Sequence, residues 1–123
     1  MNVDKLYKIT KSIMFEKATS KDYDNYYIEN INLVLAENFE LNNNLREYKG
    51  LEPLETIPNV TQKEDLIPYE YEVNYTVLPY HLASRFFIDD DLAKFNIFNT
   101  DYLNARNNLM KFKEVQVRDV YVN

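Results

Sequence analysis

The side chains in this sequence that could do chemistry are few and widely spaced. His81 shares a stretch with Glu70 and Arg85, a set that could trade protons as an acid/base pair. No nucleophile accompanies it, because Ser12, Ser20 and Ser84 lack the strand–turn–helix elbow that activates a serine. An ordinary exposed or interface histidine, on a polar strip with other solvated groups, is therefore favoured. Asp89, Asp90 and Asp91 offer hard oxygen ligands suited to Ca²⁺ or Mg²⁺. They lack the alternating Asp/Asn ligands and the Gly of a calcium-binding hand, and capping of a following helix explains the run better. The eleven Tyr could stack on nucleic-acid bases. Single-strand binders interleave such aromatics with basic residues, whereas Tyr23, Tyr26, Tyr27, Tyr69 and Tyr71 here neighbour Asp22, Asp24, Glu29, Glu70 and Glu72. A core or protein–protein interface suits them better, since Tyr covers a large area at low entropy cost. No catalytic, cofactor or metal site is expected.

Composition agrees. The 123 residues contain no Cys, one His and one Gly. Thiolate zinc sites, iron–sulfur clusters, disulfide frameworks and Cys nucleophiles are thereby excluded. One Gly cannot build a P-loop or a dinucleotide-binding turn, each of which needs several. An apolar fraction of 46% with 15% aromatics is enough for a core and argues against global disorder.

The formal charge of -6 repels nucleic-acid phosphates at long range. The nearest approach to a basic cluster is Lys5, Lys8, Lys11 and Lys17, which read as the solvated face of a first helix. No run approaches the roughly 18 apolar residues of a membrane span, and MNVDKLYKITKSIM lacks the apolar core of a signal peptide. Synthesis in a reducing cytoplasm is the expectation.

Helices must position these residues. Val3, Leu6, Tyr7, Thr10, Ile13 and Met14 repeat at helical spacing. Lys17–Asp22 interrupts them, and Asp22 can cap a second helix from about Tyr23 to Phe39, with Tyr27, Ile28, Ile31, Val34, Leu35 and Phe39 inward. The weak helix formers Asn42, Asn43 and Asn44 suggest a bend before the helix stops at Gly50. The segment 49–67 follows as a long loop between the second and third main helices. Leu51, Leu54, Ile57, Val60, Leu66 and Ile67 give it too much apolar surface for a free linker, and loops of this length are usually functional. The first four of them are the first candidate interface residues.

Pro68 suits the start of a third helix to Phe87, apolar nearly all round and therefore central, with a kink or break at Pro79. A last helix runs from the Asp89–Asp91 turn to about Lys113. Val117, Val120, Tyr121 and Val122 then mark residues 114–123 as an extended, β-prone tail, which would need a partner strand and supplies the other candidate interface residues. The expected architecture is all-α: one domain over residues 1–113, a bundle of four to five helices, plus the tail.

Within residues 24–105 the stretches Ile67-Pro68-Tyr69, Leu78-Pro79-Tyr80, Leu82-Ala83-Ser84 and Asp89–Asp91 leading to Ala93-Lys94 and Phe98 carry a likeness. In these the chain resembles the head–tail connector (adaptor, or head-completion) proteins of tailed phages and prophages of low-GC Gram-positive bacteria. It departs from that pattern at His81, where a small residue is expected. The resemblance implies a structural virion protein of the neck region, without enzymatic activity or cofactor. It implies a homo-oligomeric ring of about twelve copies, closed by a heterologous interface. That ring would sit beneath the portal protein, dock the next neck or tail-completion protein, and pass DNA through its channel without sequence-specific binding. Another neck or tail-completion component, or a small acidic regulator of a host protein, is the alternative.

Overall fold

A computed structural model describes residues 1–15 and 21–122, with side chains through residue 110. Six helical segments form an all-α bundle: α1 Val3–Ile13, α2 Tyr27–Glu37, α3 Phe39–Tyr48, α4 Tyr71–Thr76, α5 Leu78–Phe87 and α6 Leu92–Val122. Lys17 and Ser20 lie outside the described residues.

Each boundary has a local cause. Asn2 caps α1, its Oδ1 accepting from the Lys5 N–H at 2.8 Å. The expected Asp22 cap is corrected: Tyr23–Tyr26 form a turn, and α2 starts at Tyr27 with no side-chain cap. The helix is interrupted at Asn38, not at Asn42–Asn44. Asn38 sits at φ -109, ψ 10, and its Nδ2 donates to the Val34 carbonyl, a bond from side chain to preceding turn that bends helices. At Gly50 the chain adopts φ +78, and the Gly50 and Leu51 N–H groups return to the Glu47 and Arg46 carbonyls. That is a Schellman ending, which a residue without Cβ adopts at least cost.

Helix α4 begins at Tyr71 and not at Pro68, because the backbone at Glu70 is extended (φ -63, ψ 152). The break expected at Pro79 is present: α4 ends at Thr76 and Pro79 occupies the first turn of α5, where a missing N–H is harmless. The break resets the helical phase. Tyr71 and Tyr75 face solvent, while Leu78, Leu82 and Phe86 of the same sequence stripe are buried.

Helix α5 is central, packed by α1, α2, α4 and α6. Its Leu78 and Leu82 meet Leu6, Ile31, Leu35, Val73 and Val77 in a core of fully buried side chains. The N-terminus is tied to the loop: Asn2 and Leu66 form an antiparallel bridge, flanked by Val3 N–H to Asp65 O at 3.0 Å and Ile67 N–H to Met1 O at 2.9 Å.

The extended tail is also corrected. Backbone 114–122 is helical, the end of the 31-residue α6, which is about 46 Å long at 1.5 Å per residue. A strand without a neighbour leaves its N–H and C=O groups unpaired, whereas an existing helix bonds each added residue locally, outweighing the modest β preference of Val and Tyr. Among the described residues no helix is long and apolar enough to cross a membrane.

Candidate functional site

The long loop is rigidly held by asparagines of the helices. Asn32 of α2 accepts from the Val60 N–H and donates to the Val60 carbonyl, both at 2.8 Å. Asn43 of α3 treats Leu54 likewise, at 2.8 and 3.1 Å. Each amide supplies the donor and acceptor a neighbouring strand would supply, so irregular backbone is satisfied without a sheet. At the loop's end Asn42 accepts from the Glu70 N–H at 2.7 Å, while Asn74 donates to the Tyr69 carbonyl at 3.0 Å. These two grip one peptide plane from opposite sides.

Charges reinforce the clamp. Arg46 donates to the Glu52 carbonyl at 2.7 Å and pairs with Glu70 at 3.0 Å. Lys49 bridges Glu70 and Glu72 at 3.2 and 2.8 Å. The hydrogen bond to Glu72 raises the Lys49 pKa above its ordinary value, and the same bond lowers that of Glu72. Asp65 accepts from the Thr61 and Gln62 N–H groups, which hold its carboxyl below the usual range.

This scaffold divides the loop's apolar residues. Val60 is buried at 3% exposure and offers no free interface surface, while Leu54 is partly buried against the core. Leu51 and Ile57 point outward at 44% and 50% exposure. Leu66, at 75%, joins them; it belongs to the loop's apolar set but was not among the candidate interface residues. Val117, Val120, Tyr121 and Val122 fall on the last turns of α6, and their side chains lie outside the described residues.

Of the two expectations for His81, exposed or at an interface, the exposed one is overturned. His81 is 5% exposed and sits between three elements. Its Nδ1 is 2.9 Å from Asn38 Nδ2, its Nε2 is 2.9 Å from a Glu37 carboxylate oxygen, and its ring stacks on Tyr102 at 3.9 Å. The Tyr102 hydroxyl donates to Asn38 Oδ1 at 3.2 Å. Glu37 also receives Arg85, at 3.3 Å. Glu70, an alternative partner on sequence spacing, is engaged by Arg46 and Lys49. Burial, with the Arg85 and Arg106 charges, lowers the His81 pKa to about 4. The half-exposed Glu37 does not offset this, because it shares its charge with Arg85. His81 is a neutral bracket between α2, α5 and α6, its lone pair directed at Asn38.

The tyrosines likewise serve packing. Tyr7 stacks on Tyr27 at 4.1 Å and Tyr23 on Phe86 at 4.4 Å. The Tyr7 hydroxyl donates to Asp24 at 2.8 Å, and burial with that carboxylate pushes its pKa up. The buried Tyr69 hydroxyl donates to the Leu35 carbonyl. Lys11, expected on a solvated face, is instead buried, its ammonium 4.3 Å from the centre of the Tyr7 ring, while Lys8 pairs with Asp4 at the surface. Asp91 caps α6, its Oδ1 accepting from the Lys94 N–H at 3.1 Å. Among the described residues no group of three or more His, Asp or Glu side chains is placed to hold a metal ion.

The geometry thus defines an all-α scaffold presenting a clamped loop with outward apolar side chains. No family model matches the chain, and no curated protein or solved structure shows significant similarity to it.

Proposed function

We propose that this chain is a non-enzymatic virion protein, a ring-forming connector beneath the portal that joins a DNA-filled head to its tail. The observation that carries the proposal is the outward set Leu51, Ile57 and Leu66 on a loop fixed by Asn32, Asn42 and Asn43. Exposed aliphatic side chains on a preordered backbone suit protein docking, because little entropy remains to be lost on contact. The -6 charge accords with a channel through which DNA slides without adhering. The helical architecture favours a connector over a tail-terminator component, for which an α+β fold is expected.

Mass spectrometry of purified particles, with images of particles from a deletion strain, tests the proposal. A connector is present at about a dozen copies per particle, in keeping with a closed ring, and its loss separates DNA-filled heads from complete tails. Normal particles without the protein would overturn it. A soluble protein missing from particles but bound to a host protein would favour a small acidic regulator. In the intact strain, Leu51→Ser with Ile57→Ser is expected to reproduce the deletion phenotype with the fold retained.

A further inference from the structure

Two surface grooves differ in a way that points to a ligand. The first, about 370 Å³, is lined by Tyr26, Asn30, Arg85, Phe86, Asp89 and Asp90, among others. It contains its own cation, Arg85, held by Asn30 at 3.2 Å and by Glu37. The second, about 430 Å³, lies between the α4–α5 stretch and α6. Tyr75, Tyr80, Asp101, Asn104 and Asn108 line it, together with Thr76 and Ala105, and among the described residues no cationic side chain does. Among the described residues Asp101 forms no ion pair, and Asn104, Asn108 and the hydroxyls of Tyr75 and Tyr80 have no hydrogen-bond partner.

We infer that this second groove binds an arginine side chain presented by a partner protein. Its fixed charge is the Asp101 carboxylate, so charge complementarity selects a cation. Its walls are phenol rings, and Tyr75 is backed by a stacked neighbour, Tyr71, at 4.5 Å. A guanidinium matches both features: it forks onto a carboxylate with two parallel N–H donors and stacks flat on an aromatic face. The asparagine carbonyls and tyrosine oxygens can accept its remaining N–H groups. An ammonium, compact and strongly hydrated, gains less from the rings. The volume falls within the usual range of ligand pockets, roughly 300–1,000 Å³, and leaves room for the aliphatic stem. The exposed Tyr71 and Tyr75 thereby acquire a role that the core does not give them. The inference is independent of the connector proposal, since the purified chain alone tests it.

The test is an NMR titration of the full chain with N-acetyl-arginine amide, and in parallel with N-acetyl-lysine amide. The expected result is saturable shifts at Asp101, Asn104 and Asn108, with the arginine probe binding more tightly. Asp101→Asn should weaken arginine binding about tenfold, the loss expected when a charge-assisted hydrogen bond becomes neutral. Because Asp101 is exposed and unpaired among the described residues, that variant should keep its helical circular dichroism. Tyr75→Leu is a second variant, expected to erase the preference for arginine over lysine. Shifts scattered over the acidic surface, equal response to both probes, or no change in Asp101→Asn would overturn the inference.

Discussion

Asn38 Nδ2 lies 2.9 Å from His81 Nδ1, and the same amide donates to the Val34 carbonyl at 2.7 Å while its oxygen receives the Tyr102 hydroxyl. The amide orientation is therefore fixed by two partners outside the histidine. A donor faces Nδ1, so Nδ1 carries the lone pair and Nε2 carries the proton, donated to Glu37. Protonating Nδ1 would set two donors against each other in a buried site.

Acid should therefore destabilise the fold. The folded state keeps His81 neutral down to about pH 4, whereas the unfolded chain protonates near the ordinary value of 6.5. The unfolded chain binds the extra proton between these values, so stability is full above about pH 6.5 and falls as pH drops towards 4. The loss attributable to this residue is about 3 kcal/mol. Urea unfolding at a series of pH values checks this, with His81→Gln expected to flatten the decline over that window.

Asn38→Ala removes three hydrogen bonds and strands the Tyr102 hydroxyl and His81 Nδ1 in the interior. The expected cost is about 2–4 kcal/mol. Chemical denaturation measures it. A loss below about 1 kcal/mol, closer to the effect of a surface substitution, would show that the bracket does not join α2, α5 and α6 energetically.

Asn32→Ala and Asn43→Ala each free one residue of the loop from both of its backbone bonds. Each should cost about 1–3 kcal/mol locally. Amide exchange should accelerate at Val60 in the first variant and at Leu54 in the second, while α5 stays protected.

Gly50→Ala tests the end of α3. Nothing lies within 4 Å of a Cβ placed there, so the penalty is conformational and not steric crowding by neighbours. At φ +78 it should be about 1–2 kcal/mol, with Gly50→Asn costing less, since Asn tolerates the left-handed region. Thermal unfolding of the two variants gives the order.

Local features were legible in the sequence because their causes are local. The spacing of Val3, Leu6, Tyr7 and Thr10 is an inward face whatever the helix packs against, and all four are buried. Gly50 ends α3 and Pro79 opens α5 for reasons confined to a few residues of backbone. Asp91 caps α6 in the same way.

Tertiary structure decided what depends on distant partners. His81 read as exposed or at an interface because its sequence neighbours are polar, yet Asn38 and Tyr102, 43 and 64 residues apart from their partners in this network, enclose it. The three consecutive asparagines after Leu41 read as helix-weakening, but Asn42 and Asn43 are the residues that hold the loop, an interaction no local window contains. The same clamp turned Val60 inward and left Leu51 and Ile57 outside. At the C-terminus, valines that favour strands found helix continuation closer at hand than a partner strand. Sequence alone determined the all-α class, the inward face of α1, the end of α3 at Gly50 and the break before α5 at Pro79, because the hydrogen bonds and caps behind them span only a few residues. Which polar groups are buried, and which apolar ones remain outside, depended on pairings that exist only once α2, α3, α5 and α6 have met.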